Sequence, residues 1–254
     1  MVKLKSLADI EKLRVSGSIL AATFRHLEPY LKAGVSTGEL DLLADEFIRS
    51  KEAIPSFYQY RGFPGHICIS VNEVVIHGIP DKKQILREGD IVGLDIGVDL
   101  NGYFTDSART YGVGKVSEEK RKLMEVTEQS LLYAIEKLRP PSEKGRIKDV
   151  GKAVTEFIEP YGYGIVDSFC GHGVGFAVHE DPSVFNCYPS PGLNPRVRSG
   201  MVLAIEPMIC LGTGEVDVWE DDFTVVTQDG KHAAHFEHTI AVHEDHIEIL
   251  TLLD

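Results

Sequence analysis

Residues 94–107, LDIGVDLNGYFTDS, alternate apolar and polar side chains on both sides of the dipeptide Asn101-Gly102. Asn-Gly between two such runs is the strongest short-range signal for a β-hairpin with a two-residue turn. Because directly opposed residues share a face of the sheet, this turn sets Asp95 opposite Ala108 and places Asp106 diagonally across from Asp95. The hairpin therefore predicts two carboxylates on one sheet face, about 7–8 Å apart at the backbone.

Helical and extended segments alternate along the rest of the chain. A Ser-x-x-Asp box at Ser6 and Asp9 precedes apolar residues at helical spacing, so we expect a capped amphipathic helix that ends before Pro29. Further helices are predicted at Glu39–Ser50, Ser117–Leu138 and Ile147–Glu159. Strands are predicted at Ile67–Val71, Val74–Ile76, Asp90–Leu100, Tyr103–Val113, Met201–Ile209, Phe223–Thr227, His235–Val242 and Ile247–Leu253.

A helix pair followed by strands occurs twice in this order, which suggests a duplicated unit. In the two copies, Asp95 and Glu206 lie at corresponding positions, and each ends an apolar strand. The chain has 254 residues, 43% of them hydrophobic, which is enough for one sizeable core. We therefore expect an α+β fold in a single domain, with pseudo-repeat halves at about residues 1–113 and 114–254.

The amino-acid composition limits which binding partners and which cellular compartment we expect for the protein. The 39 acidic residues outnumber the 26 basic ones, and a net charge of -13 argues against nucleic acid as the main partner. The four cysteines are scattered without a Cys-x-x-Cys pair, which argues against a zinc ribbon or a disulfide framework. Neither a secretory signal nor a membrane-spanning apolar run is recognisable. We expect a soluble, cytoplasmic protein.

Four carboxylates lie at positions where a nearby cation would offset their repulsion or desolvation. Asp95 and Asp106 would repel each other on one sheet face, although two solvated acids on an exposed face remain the simpler alternative. Glu206 lies within the apolar run Val202–Met208, and Glu237 follows Phe236, so both need a partner to offset desolvation. A buried salt bridge could explain either glutamate singly. Explaining all four acids that way requires basic partners, and those strands contain none.

Histidines offer a further ligand type. His172 lies in the segment Gly171–Gly175, which we interpret as a flexible turn whose glycines allow a close approach of the backbone. One imidazole and four carboxylates are too many for one tetrahedral zinc, but they suit two ions about 3.5–4 Å apart. Oxygen-rich ligation favours Mn, Fe or Co, with Zn still possible. The histidines between His232 and His246 fit a polar strand edge better than a second metal-binding tract.

With these five residues in this order, the sequence resembles the type I methionine aminopeptidases over nearly its whole length. The motifs that carry the resemblance are Ser70–Pro80, Leu94–Gly97, Thr105–Thr110, Cys170–Gly175, Ile205–Pro207 and Glu237–Thr239. The resemblance implies a single catalytic domain with the pita-bread fold, in which two pseudo-symmetric halves fold a curved antiparallel sheet, flanked by helix pairs, around the metals. It also implies a dinuclear centre of two divalent ions, either Co, Mn, Fe or Zn.

Carried over position by position, the resemblance implies that Asp95 chelates one metal, that His172 and Glu206 bind the other, and that Asp106 and Glu237 bridge both.

Catalytic roles follow from the same resemblance. Glu206 would also act as the general base. His179 would bind the scissile peptide and steady the tetrahedral oxyanion, and His77 would contact the substrate backbone and assist the leaving group. Without the resemblance, both histidines would be interpreted as ordinary loop residues.

A pocket for the methionine side chain is expected in the segment Phe57–Pro64, with Tyr60 and Phe63, and at Cys68. Phe223 stands where relatives often carry Trp, and Val178 where bacterial relatives often carry an aromatic residue. These two departures leave the exact shape of the pocket open.

The implied activity is removal of the initiator methionine from nascent polypeptides with a small second residue. Transient ribosome contact, a monomeric state and no membrane association are expected. Two alternatives remain: an X-Pro peptidase like aminopeptidase P or prolidase, and a non-catalytic pita-bread module that binds proteins. Cleavage before proline would identify the first, and loss of ligands is expected of the second, whereas all five ligand types are present here.

Overall fold

The computed structural model describes residues 1–253. Its α-helices are α1 (Leu7–Leu27), α2 (Thr37–Ser50), α3 (Glu118–Lys137) and α4 (Lys148–Ile158). The predicted capping box is present: the Ser6 hydroxyl accepts the Asp9 N–H at 3.2 Å, and the Asp9 carboxylate accepts the Ser6 N–H at 2.9 Å. No helix within the described range is long and apolar enough to cross a membrane.

Within residues 1–253 the strands form four antiparallel sheets. In chain order they are β1 (Ile54–Pro55), β2 (Cys68–Val71), β3 (Val74–Ile76), β4 (Ile91–Leu100), β5 (Tyr103–Gly112), β6 (Gly164–Ile165), β7 (Gly171–Gly173), β8 (Glu180–Val184), β9 (Val202–Ile205), β10 (Met208–Cys210), β11 (Val216–Val218), β12 (Val225–Thr227), β13 (Ala233–His235), β14 (His238–Val242) and β15 (Ile247–Ile249). The largest sheet has the order β15-β14-β9-β7-β8, and another groups β1, β2 and β5 around β4. Two smaller sheets have the orders β13-β10-β6 and β11-β12-β3.

The predicted hairpin is confirmed with its register. Strands β4 and β5 pair with Asp95 opposite Ala108 and Gly97 opposite Asp106. Asn101 and Gly102 both have positive φ, 55° and 84°, as a two-residue hairpin turn of this class requires. The two aspartates therefore lie on one face of the sheet, as the sequence parity predicts.

Each pair of helices covers its own hydrophobic core. Phe24 of α1 and Leu40 of α2 pack with Leu94 of β4 in one cluster of buried side chains. Val126 of α3 and Val154 of α4 belong to a second cluster, together with side chains of β9 and β14. This arrangement agrees with the predicted order of elements, while the division into halves near residue 113 stays a prediction.

Two predicted strands are each interrupted at a glutamate. The segment predicted as one strand at Met201–Ile209 forms β9 and β10, which lie in different sheets, with Glu206 and Pro207 between them. The segment predicted at His235–Val242 is likewise divided into β13 and β14 around Glu237. Proline lacks an N–H and cannot continue the ladder, so Pro207 favours the break. The prediction of continuous strands was wrong at these two points.

The glycine-rich segment around His172 is a strand rather than the predicted flexible turn. Strand β7 lies between β8 and β9 in the largest sheet. A Cβ atom on Gly171 would lie 2.3 Å from the carbonyl oxygen of Ala204, and one on Gly173 would lie 2.2 Å from that of Asp181. The glycines do permit a close approach of backbones, but the groups that approach are the neighbouring strands.

A row of hydrogen bonds joins β5 to the segment that contains β13 and β14. The Thr239 hydroxyl accepts the backbone N–H of Asp106 at 2.9 Å and donates to the carbonyl of the same residue at 2.7 Å. Ser107 donates its hydroxyl to the carbonyl of Glu237 at 2.5 Å, and the Glu237 N–H donates to the carbonyl of Ala108 at 2.9 Å. These hydrogen bonds of Ser107, Ala108, Thr239 and the two acids, here called the seam, fix the positions of Asp106 and Glu237 relative to each other.

We predict that Thr239→Val lowers the free energy of unfolding by about 2 kcal/mol, because it leaves a buried N–H and a buried carbonyl of Asp106 without partners. Urea unfolding measures the loss. Thr23→Val in α1 is the matched control, since Thr23 is equally buried but donates to a helical carbonyl, that of Ile19. A loss for Thr239→Val no larger than for the control would contradict this account of the seam.

Candidate active site

All five predicted metal ligands line one cleft. Asp95 lies on β4, Asp106 on β5 and His172 on β7, whereas Glu206 and Glu237 lie at the two interruptions between strands. The space between protein atoms in and at the mouth of the cleft is about 690 Å³, part of which is open solvent. Elements from both ends of the sequence therefore converge on a single acidic wall.

The side chains of the predicted ligands lie close to one another. The Nε2 atom of His172 lies 3.6 Å from a carboxylate oxygen of Glu206 and 3.9 Å from one of Asp106. Asp106, His172 and Glu237 offer ligand atoms that all lie within 4.8 Å of one another. This spacing suits atoms that share a coordinated ion.

The four carboxylates that line the cleft form a cluster in which every pKa is raised. Burial raises the pKa of Asp95 to about 7. Burial, followed by repulsion from Asp95, raises the pKa values of Asp106 and Glu206 well above their usual range. Burial and the charge of Asp106 do the same for Glu237. Four carboxylates in a desolvated space strongly favour either protons or a compensating cation.

The polar atoms of the cluster fit divalent metal ions. Asp95 Oδ1, Asp106 Oδ1 and Glu237 Oε1 are buried and have no hydrogen-bond partner among the residues that the structure describes. His172 donates its Nδ1 proton to the carbonyl of Gly173 at 2.9 Å, and burial lowers the pKa of its imidazole to about 4. The neutral ring therefore presents the lone pair of Nε2 towards carboxylate oxygens, an arrangement that a cation stabilises.

The other end of the cleft is apolar. Phe57, Phe63, Cys68 and Val178 form a buried cluster, against which the predicted pocket residues Tyr60 and Phe223 pack. Phe223 meets Phe63 edge-on, with ring centroids 5.5 Å apart. Burial raises the pKa of the Cys68 thiol well above its usual value, so this side chain is neutral. All four residues named from the sequence for the pocket line the cleft.

Both predicted catalytic histidines face the same cleft. His179 Nδ1 and the Tyr60 hydroxyl are hydrogen-bonded at 3.1 Å, and the His179 and His172 rings are 4.1 Å apart. Burial, followed by the nearby His172, lowers the pKa of His179 to about 3, and burial lowers that of His77 to about 4. Both imidazoles are therefore neutral at physiological pH.

Two residues of this region were not identified from the sequence. Arg61 lines the cleft with its guanidinium 5.4 Å from the Tyr60 ring, and its place beside Tyr60 in the predicted pocket segment was the available signal. His235 lies with its Nε2 3.7 Å from a Glu206 oxygen. The interpretation of the histidine run as a polar strand edge was wrong for His235 and His238, since both are buried.

Known proteins similar to this chain are consistent with the geometry. The model of metallopeptidase family M24 matches residues 11–244. The methionine aminopeptidase of Clostridium acetobutylicum is 47% identical over 254 residues, which are 100% of both chains. Methionine aminopeptidase 1 of Bacillus subtilis is 45% identical over 99% of both chains. The crystal structure of methionine aminopeptidase from Rickettsia prowazekii superposes with a TM-score of 0.95, at 38% identity, over 99% of this chain and 100% of that one.

These similarities confirm the predicted fold class, an α+β pita-bread fold, and an enzyme of the hydrolase class. The family and the buried cluster of Asp106, His172 and Glu237 together indicate the use of divalent metal. The chain belongs to metallopeptidase family M24.

Proposed function

We propose that the protein removes the N-terminal methionine from polypeptides whose second residue is small. The observation that carries this proposal is that one cleft combines a buried carboxylate cluster with an apolar end whose aromatic and sulfur-containing side chains suit a thioether. The similarity to methionine aminopeptidases over the full chain supports it. Its substrates would be the N-termini of nascent chains, met in the cytoplasm by a monomer in transient contact with ribosomes.

Two divalent ions are proposed, either Co, Mn, Fe or Zn. Asp95 would chelate one, His172 and Glu206 the other, and Asp106 and Glu237 would bridge both. When bound, such ions activate water for attack and polarise the peptide carbonyl. The orphaned carboxylate oxygens and the neutral His172 support this ligand set.

Glu206 is proposed as the general base. The carboxylate lies beside His172, and the backbone carbonyl of Glu206 accepts a hydrogen bond from the Asn186 amide at 2.9 Å, which fixes the kink between β9 and β10. A carboxylate in this position can take a proton from water and return it to the leaving amine.

His179 and His77 are proposed to bind the peptide rather than to exchange its protons. If the Tyr60 hydroxyl donates to Nδ1 of His179, the imidazole keeps its proton on Nε2 and can donate to the oxygen that becomes negative during attack. His77 has a positive φ of 56°, a conformation that costs free energy in a non-glycine residue. We assign it to contact with the substrate backbone.

Cleavage of short peptides tests the function directly. After chelation, the protein receives Mn, Co, Fe or Zn and then Met-Ala-Ser, Met-Leu-Ser or Ala-Pro-Ser. We expect metal-restored release of methionine from Met-Ala-Ser, with at least about tenfold lower kcat/KM for the other two peptides. Preferential cleavage of Ala-Pro-Ser would instead indicate an X-Pro peptidase, and no cleavage with any metal would support the binding module.

Removal of a bridging carboxylate should abolish metal loading and turnover together. We expect Asp106→Asn and Glu237→Gln each to reduce metal affinity and kcat on the order of 100-fold, because each removes a charged ligand. Calorimetric metal titration and the peptide assay measure the two effects. Asp99→Asn, on the same hairpin but bonded to the Gly102 N–H at 2.7 Å, should change neither. Unchanged metal affinity in Asp106→Asn would disprove the dinuclear assignment.

The metal-free protein should lose stability as pH rises from about 7 to 8. The buried histidines with lowered pKa values are neutral in the folded protein, and the unfolded chain has released most of its histidine protons by about pH 7. The acids of the cluster have raised pKa values, to about 7 for Asp95 and well above the usual value for Asp106, so in the folded protein they still hold protons that the unfolded chain has released. The free energy of unfolding therefore falls with pH. Urea unfolding after chelation measures the slope, which added Co or Mn should remove. A flat or rising profile without metal would contradict the burial of these charges.

A further inference from the structure

An ion pair with almost no solvent exposure includes the residue that follows His179, which lines the cleft. Lys5 Nζ is 2.6 Å from Glu180 Oε2, and the two side chains are only 1% and 3% exposed. The lysine precedes helix α1, whereas the glutamate begins β8 directly after His179. The pair therefore joins the N-terminal segment to the neighbour of a proposed catalytic residue.

The same glutamate closes the loop that precedes it. Its second oxygen, Oε1, accepts the backbone N–H of Phe176 at 2.8 Å, so one carboxylate holds both ends of residues 176–180, here called the 176–180 loop. The stem of Lys5 packs under this loop, since a Cβ atom on Gly175 would lie 2.4 Å from Lys5 Cε. The Lys5 ammonium also lies 5.1 Å from the Phe176 ring centroid.

The backbone of Lys5 is connected to the largest sheet through hydrogen bonds. Its backbone N–H donates to the carbonyl of Gly200 at 2.7 Å, and the Gly200 N–H donates to the carbonyl of Val242 in β14 at 2.9 Å. Lys5 therefore connects the chain beside this sheet to the loop, whose residues 176–179 lie outside the strands. The loop packs Val178 against the pocket residues Phe63 and Cys68, and it places His179 at the cleft.

Stability alone is a poor reason for such a pair. Desolvation of two buried charges offsets much of their attraction, and apolar residues of similar volume are often at least as stabilising. Burial lowers the pKa of Lys5 in spite of the adjacent Glu180. What an apolar pair would not reproduce is the directional bond to Glu180, which also orients its contact with Phe176.

We propose that Lys5 is a positioning residue that holds the 176–180 loop through Glu180, so that Val178 packs against residues of the methionine pocket and His179 faces the scissile peptide. The inference rests on the proposed function. It assigns the N-terminal segment a part in selectivity.

Lys5→Met keeps the length of the stem and removes the charge. We expect kcat/KM for Met-Ala-Ser to fall at least about tenfold, because a displaced loop misplaces His179, with metal affinity unchanged. The ratio of kcat/KM for Met-Ala-Ser over Leu-Ala-Ser should also fall, since Val178 no longer supports the residues that line the pocket. A structural role alone would lower stability without changing this ratio.

Glu180→Gln provides an independent variant if Lys5→Met does not fold. It can still accept the Phe176 N–H but loses the charge that binds Lys5, and the same drop in selectivity is expected. The double variant K5M/E180Q should lose less kcat/KM than the product of the two single losses, because both act through one contact. Losses that simply multiply would overturn the proposed coupling.

Arg14→Met is the matched control. Arg14 also joins the N-terminal region to a distant acid, Glu248 at 2.7 Å, but Glu248 belongs to β15, at the opposite edge of the largest sheet from β8. The control should keep both kcat/KM and the selectivity ratio. If the unmodified protein cleaves Met-Ala-Ser while Lys5→Met retains its rate and selectivity, the inference fails and the function stands. If the unmodified protein releases no methionine with any metal, the proposed function itself fails.

Discussion

Repulsion among carboxylates buried in one cleft is the constraint on which this structure depends. Asp95, Asp106, Glu206 and Glu237 come from both ends of the chain, and desolvation makes their joint ionisation costly. A fold can hold such a group only if the backbone around it is rigid and either protons or a cation compensate the charge. The antiparallel sheets supply the rigidity, and the neutral imidazole of His172 completes a set of donors suited to divalent metal.

The rigidity has an identifiable source in hydrogen bonds between the two parts of the chain. Thr239 satisfies both backbone groups of Asp106, and Ser107 and Ala108 bond to the backbone of Glu237. These bonds are short-range and directional, so they set the spacing of the carboxylates more tightly than hydrophobic packing could. The interruption at Glu206 serves the same end. A residue between two strands can point into the cleft while its neighbours on both sides remain paired.

Selectivity and chemistry share the cleft but depend on different elements. The acidic wall is built from paired strands, whereas the apolar wall comes from the Phe57–Pro64 segment and the 176–180 loop. Loops are less constrained than strands, and they need additional contacts to hold a side chain in place. The buried contact between Lys5 and Glu180 is such a contact, and it connects the position of His179 to a segment that is remote in sequence.

The amino-acid sequence by itself determined the local features, because each depends on neighbouring residues only: the capped first helix, the hairpin at Asn101-Gly102 and the shared face of Asp95 and Asp106. The order of ligands and motifs was also sufficient to indicate the family. Only the tertiary structure decided where strands end, since the kinks at Glu206 and Glu237 arise from pairing with each other's segments. It likewise decided which groups are buried together. A lysine near the start of the chain shows no local sign of its distant glutamate, because that contact exists only once the chain has folded.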